Sequence, residues 1–259
     1  MFKLKSSVME ETGKLNIIVG CEESQAVTIA LRSKGHNAFS CDLKPCSGGY
    51  PEWHIQADIL VVIKGGWFLT QALTKVYIEK WDTGIFFPDC TFLTNSAAWA
   101  YKEPPYHQKV KPSTLVGAAR MQARYDAIDF VGKIWNSGIP QIAIENPIGI
   151  LSISFGKPTQ IIQPWYFGHP ESKSTCLWLK NLPVLEHSEY ANFENYRCSC
   201  GEVFPYDLGK YGCCEKPAKP LWDNITKSGQ NKLSPGLNRA ELRSKTYTGI
   251  AEAMANQWF

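Results

Sequence analysis

Short apolar runs separated by polar turns fill the first part of the chain. The run at residues 15–19 stops at Gly20, and the run at residues 37–41 ends at Asp42. Between them, residues 24–34 carry apolar side chains three or four positions apart. Short runs bounded by turn residues are typical of buried strands, and the wider spacing is typical of an amphipathic helix. The pattern predicts a strand, a helix and a second strand.

The same alternation returns further along the chain. It predicts buried strands at residues 84–87, 141–144 and 175–179, and helices at 115–136 and 246–258. Strands that alternate with helices usually form a parallel sheet that is covered on both faces. We therefore predict an α/β fold with a doubly wound, Rossmann-like sheet. In such sheets, ligands bind outside the carboxyl ends of the strands.

Chemically active residue types lie at two of these predicted strand ends. Cys90 follows the apolar run that ends at Phe87, and Glu145 follows the run at 141–144. A cysteine in a loop beside a cleft can be a nucleophile, and a partly buried glutamate can act as an acid near neutral pH. Cys90 could instead be a buried structural thiol, and Glu145 could cap a turn. Both alternatives stay open on the residues alone.

Composition narrows the class of protein. The 259 residues are 44% hydrophobic and 20% charged, which suits one large globular domain. The sequence has no apolar run of about 18 residues and no secretory signal, so we expect no membrane span and no export. Nine cysteines then indicate thiols in a reducing cytoplasm rather than a disulfide framework. The net charge of +3 permits a nucleic-acid partner without indicating one.

Three short motifs, in this order, resemble those of the DNA cytosine-5 methyltransferases, and especially the short methylase-like proteins common in phage genomes. Pro-Asp-Cys at 88–90 is similar to the Pro-Pro-Cys of that family, and Glu-Asn-Pro at 145–147 to its Glu-Asn-Val. Residues 171–175 match its Gln-x-Arg-x-Arg more loosely. The runs at 163–169 and 243–251 resemble the phage-type members. The fold that this resemblance implies is a Rossmann-like S-adenosylmethionine-dependent methyltransferase.

The resemblance implies methyl transfer from S-adenosylmethionine to carbon 5 of cytosine in DNA. The Cys90 thiolate would add to carbon 6 of the ring and so activate carbon 5. Glu145 would hydrogen-bond ring nitrogen 3, and Lys173 or Thr175 would hold the ring carbonyl oxygen. A base in duplex DNA must first be flipped out of the stack. DNA is therefore the expected partner, and DNA modification in a phage host's cytoplasm is the expected setting.

The resemblance also places S-adenosylmethionine on the loop at residues 20–26. Asp42 would bind its ribose, and Asp58 with Ile59 would lie near its adenine. The loop lacks the G-x-G-x-x-G fingerprint of dinucleotide sites. The expected cofactor-binding residues are Gly20, Cys21, Glu22, Ser24, Asp42, Asp58, Ile59 and Pro88.

Two alternatives belong to other classes of function. Asp89 stands in place of the family's second proline and Thr175 in place of its second arginine, so the chain could be a catalytically inactive binding protein that keeps the fold. Little of the chain is left for reading a DNA sequence, so the substrate could instead be a free pyrimidine nucleotide. Binding of S-adenosylmethionine and turnover of dCMP would separate these alternatives.

The expected domain boundaries rest on the extent of the resemblance and on a change in composition near residue 186. Residues 1–14 are expected to form a polar leader, 15–185 a catalytic domain, 186–238 a cysteine-rich insert, and 239–259 a C-terminal helix that packs back on the catalytic domain. Two close cysteine pairs in the insert suggest structural zinc, because four thiolates can hold the ion tetrahedrally. Reduced surface cysteines are the alternative. The four expected ligands are Cys198, Cys200, Cys213 and Cys214.

Overall fold

A computed structural model gives the fold of most of the chain. The described residues are 13–107, 109–193, 195–198, 200, 202–205, 218–226, 231–233 and 245–259. Residues 1–12, which make up most of the expected leader, lie outside this set, and so do Cys213 and Cys214. Within the described part, no helix is long and apolar enough to cross a membrane.

Strands and helices alternate along the described part of the chain. The strands are β1 (Asn16–Gly20), β2 (Asn37–Asp42), β3 (His54–Gln56), β4 (Gly66–Leu69), β5 (Lys75–Ile78), β6 (Thr83–Phe86), β7 (Gln141–Pro147), β8 (Gln160–Ile162), β9 (Thr175–Lys180), β10 (Asn195–Arg197), β11 (Val203–Pro205) and β12 (Lys219–Pro220). The α-helices are α1 (Ala26–Ser33), α2 (Ile59–Val62), α3 (Gly117–Trp135), α4 (Leu151–Ser154) and α5 (Thr248–Gln257). The predicted strands correspond to β1, β2, β6, β7 and β9, and the predicted helices to α1, α3 and α5.

A seven-stranded sheet forms the centre of the molecule, with the strand order β3-β2-β1-β6-β7-β9-β8. Neighbouring strands from β3 to β7 are parallel, while β9 runs antiparallel to both β7 and β8. The order reverses between β1 and β6, which is the switch point where Rossmann-like sheets bind ligands. The fold is thus α/β with a mostly parallel sheet, and it matches the predicted Rossmann-like methyltransferase architecture.

Both faces of the sheet are buried under helices. Successive side chains of a strand point to opposite faces, so Ile18 of β1 joins a core with Val131 of α3. Its neighbour Ile17 joins a second core with Val27 of α1 and Met254 of α5. The helices therefore cover the two faces and leave the carboxyl ends of the strands available for a site.

Several elements were not predicted from the sequence. The antiparallel pair β4–β5 carries Trp67, Leu69 and Tyr77 in exposed positions while Phe68 and Val76 pack against the core, so apolar residues on both faces hide the alternation of a strand. The expected insert contains a three-stranded antiparallel sheet with the order β11-β10-β12. The division of the chain into the four expected segments stays a prediction.

Candidate active site

The ends of β6 and β7 bring Cys90 and Glu145 to the same edge of the sheet. These strands are parallel neighbours, and Phe86 pairs with Ile144. Cys90 lies four residues beyond the end of β6, and Glu145 is the residue after Ile144. Each of the two side chains lies within electrostatic range of the other. The structure therefore brings together the two residues that the sequence singled out.

Asn146 fixes the two strand ends against each other. Its side-chain nitrogen Nδ2 donates a hydrogen bond of 2.8 Å to the carbonyl oxygen of Pro88, and the residue is only 1% exposed. Its Oδ1 atom is buried with no hydrogen-bond partner among the described residues. Pro88 is itself buried. The Pro-Asp-Cys and Glu-Asn-Pro motifs are therefore joined by one direct contact, which the sequence resemblance did not assign.

The backbone turns sharply after Cys90. The amides of Leu93 and Thr94 both donate to the Cys90 carbonyl oxygen at 3.0 Å. The exposed Asp89 side chain is directed to Thr91, because its Oδ1 accepts from the Thr91 amide at 2.8 Å and from the Thr91 hydroxyl at 2.7 Å. The turn leaves Cys90 partly exposed at the sheet edge, as a nucleophile would need to be.

Two arginines of α3 hold the segment that follows Cys90. Arg124 Nε donates to the Phe92 carbonyl oxygen at 2.9 Å, and its guanidinium lies 3.5 Å from the centre of the Tyr101 ring. Arg120 packs against the same ring at 4.8 Å. Tyr101 closes the arrangement by donating to the Phe92 carbonyl oxygen at 3.0 Å. The two arginines were missed in the sequence, where they look like ordinary surface residues of an amphipathic helix.

Burial raises the pKa of Cys90, and the carboxylates of Asp89 and Glu145 raise it further. The positive charge of Lys173 lowers it. A thiolate is therefore unfavourable at Cys90 unless a cation remains close to it. Among the residues that the structure describes, Lys173 is the cation that supplies this effect.

Burial also raises the pKa of Glu145, while the charge of Lys173 and a hydrogen bond with the Thr175 side chain oppose that rise. Thr175 reaches the site because β9 runs antiparallel to β7, so that Thr175 pairs with Pro147. A raised pKa favours the protonated form of the carboxyl group, which can donate a hydrogen bond. The four expected catalytic residues Cys90, Glu145, Lys173 and Thr175 therefore converge on one edge.

The segment that presents Lys173 is irregular and is held by side chains from elsewhere. Gln163 Oε1 accepts a hydrogen bond from the Lys173 amide at 3.0 Å. Asn224 binds both backbone groups of Ser172, since its Oδ1 accepts from the Ser172 amide at 3.2 Å and its Nδ2 donates to the carbonyl oxygen at 2.9 Å. Gln163 belongs to a run that the sequence resemblance singled out, but no pattern in the sequence marked Asn224.

The expected cofactor loop follows β1 at the switch point. Gly20 is required there by packing, because a Cβ atom would lie 2.5 Å from the Phe86 ring. Cys21 has a positive φ of 59°, and its amide donates to the Cys41 carbonyl oxygen at 2.7 Å. Glu22 is buried and accepts a hydrogen bond of 2.6 Å from the Val27 amide at the start of α1. The structure thus places Glu22 beneath the helix, and its contact with a cofactor stays a prediction.

The remaining expected cofactor residues line the edge formed by β1, β2 and β3. Asp42 ends β2 and is half-buried, while Asp58 caps α2 by accepting from the Leu60 amide at 2.9 Å. Burial raises the pKa of the Cys21 thiol, and the nearby carboxylates of Asp42, Asp89 and Asp58 raise it further. Ser24 is half-buried in the loop and Ile59 is buried behind it.

This acidic edge fits S-adenosylmethionine by its chemistry. Carboxylates accept hydrogen bonds from ribose hydroxyl groups, and negative charge favours a sulfonium cation. Asp42 and Asp58 would hold the cofactor, with the backbone of residues 20–24 beside it. The edge lies next to Cys90, because β1 and β6 are adjacent strands.

The expected zinc ligands are only partly described. Cys198 is buried and Cys200 is exposed, while Cys213 and Cys214 lie outside the described residues. Within the described part of the chain, no group of three or more histidine, cysteine, aspartate or glutamate side chains could hold a metal ion. Zinc therefore stays a prediction that rests on the spacing of the cysteines.

Comparisons with known proteins find structural likenesses among solved structures. No protein-family model matches the chain, and no curated protein matches its sequence. A solved structure that resembles it is a mutant of DNMT2 from Spodoptera frugiperda, with a sequence identity of 14% and a TM-score of 0.35. The match covers 69% of this chain and 54% of the DNMT2 chain. The present chain thus spans about half of that protein's length.

Proposed function

We propose that this protein transfers a methyl group from S-adenosylmethionine to carbon 5 of cytosine in DNA, through a covalent adduct at a cysteine. The observation that carries the proposal is the convergence of Cys90, Glu145, Lys173 and Thr175 at the carboxyl edge of the sheet, next to the acidic edge after β1, β2 and β3. The choice of cytosine and of DNA rests on the sequence resemblance.

Each of these residues has a separate role in the proposed reaction. The Cys90 thiolate adds to carbon 6 of the pyrimidine, which makes carbon 5 electron-rich. The protonated Glu145 donates a hydrogen bond to ring nitrogen 3 and so takes up the charge that develops there. Lys173 holds the ring carbonyl oxygen and also lowers the pKa of Cys90, which favours the attacking thiolate.

When bound, S-adenosylmethionine supplies the electrophilic methyl group that carbon 5 takes up. Carbon 5 then loses its proton to solvent, and Cys90 leaves carbon 6 as a thiolate, which restores the aromatic ring. Thr175 hydrogen-bonds Glu145 and donates to the Lys173 carbonyl oxygen at 3.1 Å, so it links these two residues. Asn146 keeps the two strand ends at a fixed separation through Pro88, and fixed geometry of this kind accelerates addition.

Methyl transfer from labelled S-adenosylmethionine is the decisive experiment. Unmodified duplex DNA, single-stranded DNA and dCMP would be incubated separately with the protein, and digestion with mass analysis would locate the methyl group. We expect 5-methylcytosine in DNA, and we expect C90S to abolish it because a serine hydroxyl is a far weaker nucleophile at neutral pH. C46S is the matched control, since Cys46 is half-buried in the loop after β2 and has no assigned role.

The results with the separate substrates also distinguish the proposal from its alternatives. Labelling of dCMP with unlabelled DNA would replace the DNA substrate by a free nucleotide. Absence of S-adenosylmethionine binding by calorimetry would indicate a catalytically inactive binding protein that keeps the fold. Equal labelling by C90S and the unaltered protein would remove Cys90 from the mechanism.

A further inference from the structure

The C-terminal helix α5 begins beside the segment that carries Lys173. The ring of Tyr247, the residue just before α5, has its centre 5.9 Å from the Lys173 Nζ atom. The Tyr247 hydroxyl donates a hydrogen bond to Glu171, two residues before Lys173. Tyr247 thus meets the segment through both its ring and its hydroxyl.

The start of α5 is docked tightly on this segment. The Gly249 amide donates to His169 Nε2 at 3.0 Å, and the His169 ring lies 5.1 Å from the Tyr247 ring. A Cβ atom at Gly249 would lie 2.0 Å from the Phe167 carbonyl oxygen, so the helix approaches as closely as glycine allows. Tyr247 is therefore held in place by its own helix as well as by Glu171.

The hydrogen bonds described above fix the backbone of this segment rather than the Lys173 side chain. Gln163 and Asn224 bind backbone groups at Lys173 and Ser172, whereas the four-carbon stem of a lysine turns freely and carries considerable rotamer entropy. An aromatic ring near an ammonium group attracts it through the ring quadrupole. Tyr247 is the described residue whose ring lies near the Lys173 ammonium.

We infer that Tyr247, oriented by Glu171, is a positioning residue that directs the Lys173 ammonium group toward Cys90 and Glu145. The C-terminal helix would then be a working part of the active site rather than only a cover for the sheet. The inference deepens the proposed function, because it rests on the role that the proposal gives to Lys173. Tyr247 itself would not touch the pyrimidine.

The pH dependence of Cys90 alkylation tests the positioning without any turnover. Iodoacetamide would modify the protein over a range of pH, and mass analysis of the Cys90 peptide would give the apparent pKa of that thiol. Lys173 lowers the pKa of Cys90, so K173M should raise it. Y247L should raise it in the same direction, because the ammonium group is no longer directed to the thiol. E171Q and Y247F should give smaller rises.

Turnover supplies the second measurement. Loss of one cation–π contact corresponds to about a fivefold to tenfold change, so kcat should fall by about that factor in Y247L and less in Y247F. KM for S-adenosylmethionine should stay unchanged. Lys173 lowers the pKa values of both Cys90 and Glu145, so both limbs of the kcat/KM profile should move to higher pH in Y247L. Y125F, at an exposed position of α3, is the matched control.

The outcomes separate the inference from the proposed function. If K173M raises the apparent pKa of Cys90 while Y247L, Y247F and E171Q leave it unchanged, Tyr247 has no positioning role and the proposed function stands. If K173M also leaves it unchanged, the inference fails together with the role of Lys173. If the Tyr247 variants raise it but the unaltered protein methylates nothing, the positioning is supported and the proposed function fails. Y247F retains the ring, so the test survives if Y247L does not fold.

Discussion

Asp89 is the residue at which this chain departs most from the Pro-Pro-Cys pattern, and its effect is electrostatic. Its carboxylate is directed to Thr91 rather than into the site, yet its charge still raises the pKa of Cys90. The sequence indicated a carboxylate beside the thiol but not its direction, because side-chain orientation in a turn depends on local hydrogen bonds. Thr175 is similar, since its bond to Glu145 depends on the antiparallel pairing of β9.

We predict that D89N lowers the apparent pKa of Cys90 and makes the thiol more reactive at neutral pH. Asparagine retains an oxygen that can accept from the Thr91 amide, so the turn should persist while the charge is lost. The rate of Cys90 alkylation at pH 7, followed by mass analysis, should rise about twofold to tenfold, since one pKa unit corresponds to tenfold in thiolate population. D126N on the exposed face of α3 is the control. An unchanged rate in D89N would show that solvent screens the Asp89 charge.

At the scale of single elements, α1 shows where sequence reasoning stopped short. The pattern predicted a helix from residue 24, but α1 begins at Ala26 because Gln25 has a positive φ of 61°. Glu22 then caps the helix from below through Val27 and Thr28. Strands such as β3, with three residues, were missed because so short a run has no measurable periodicity. Longer apolar runs such as that of β7 were predicted, since several consecutive apolar residues indicate a buried strand.

The cap makes the stability of the fold depend on pH. Burial raises the pKa of Glu22 from 4.5 to about 7, against hydrogen bonds from Thr28 and Val27. The folded chain therefore binds this proton more tightly than the unfolded chain. The contribution is complete below pH 4.5 and is lost as the pH rises through 7, which amounts to about 3 kcal/mol in the free energy of unfolding.

Urea denaturation between pH 4.5 and pH 8 would measure this dependence. We expect the difference in unfolding free energy between the unaltered protein and E22Q to decrease as the pH rises, because glutamine does not titrate. E79Q, at an exposed position after β5, is the control, and its free energy of unfolding should show the same pH dependence as that of the unaltered protein. If the unfolding free energy of E22Q changes with pH as that of the unaltered protein does, the folded Glu22 titrates at its ordinary pKa.

At the scale of the whole molecule, the site is assembled from distant parts of the chain. The sequence predicted the α/β class and the edge that carries Cys90 and Glu145, because strand ends can be read from apolar runs. It did not predict that Gln163, Asn224 and Tyr247 would meet around Lys173. Such contacts depend on how the segment before β9, the insert and α5 fold back together, and no local periodicity encodes that.

The docking of α5 on the rest of the molecule can be tested with a pair of glycines. G249A should reduce the free energy of unfolding by about 1–3 kcal/mol, as overpacking does, because the new Cβ atom would clash with the Phe167 carbonyl oxygen. G132A in the middle of α3 meets nothing within 4 Å and should stabilise the protein by about 0.5–1 kcal/mol. Thermal denaturation would compare the two variants, and hydrogen exchange in α5 would show whether the helix has detached. Equal thermal midpoints for G249A and G132A would contradict the close approach of α5 to Phe167.

The position of Tyr247 late in the chain also has a consequence for biosynthesis. A ribosome synthesises β6, β7 and β9 before it synthesises the start of α5, because synthesis proceeds from the N-terminal side. The growing polypeptide therefore carries the Cys90 thiol and the Glu145 carboxyl before the ring that orients Lys173 has been synthesised. During that interval the thiol lacks the cation that Tyr247 orients, so the active site can be complete only after residue 247 has left the ribosome.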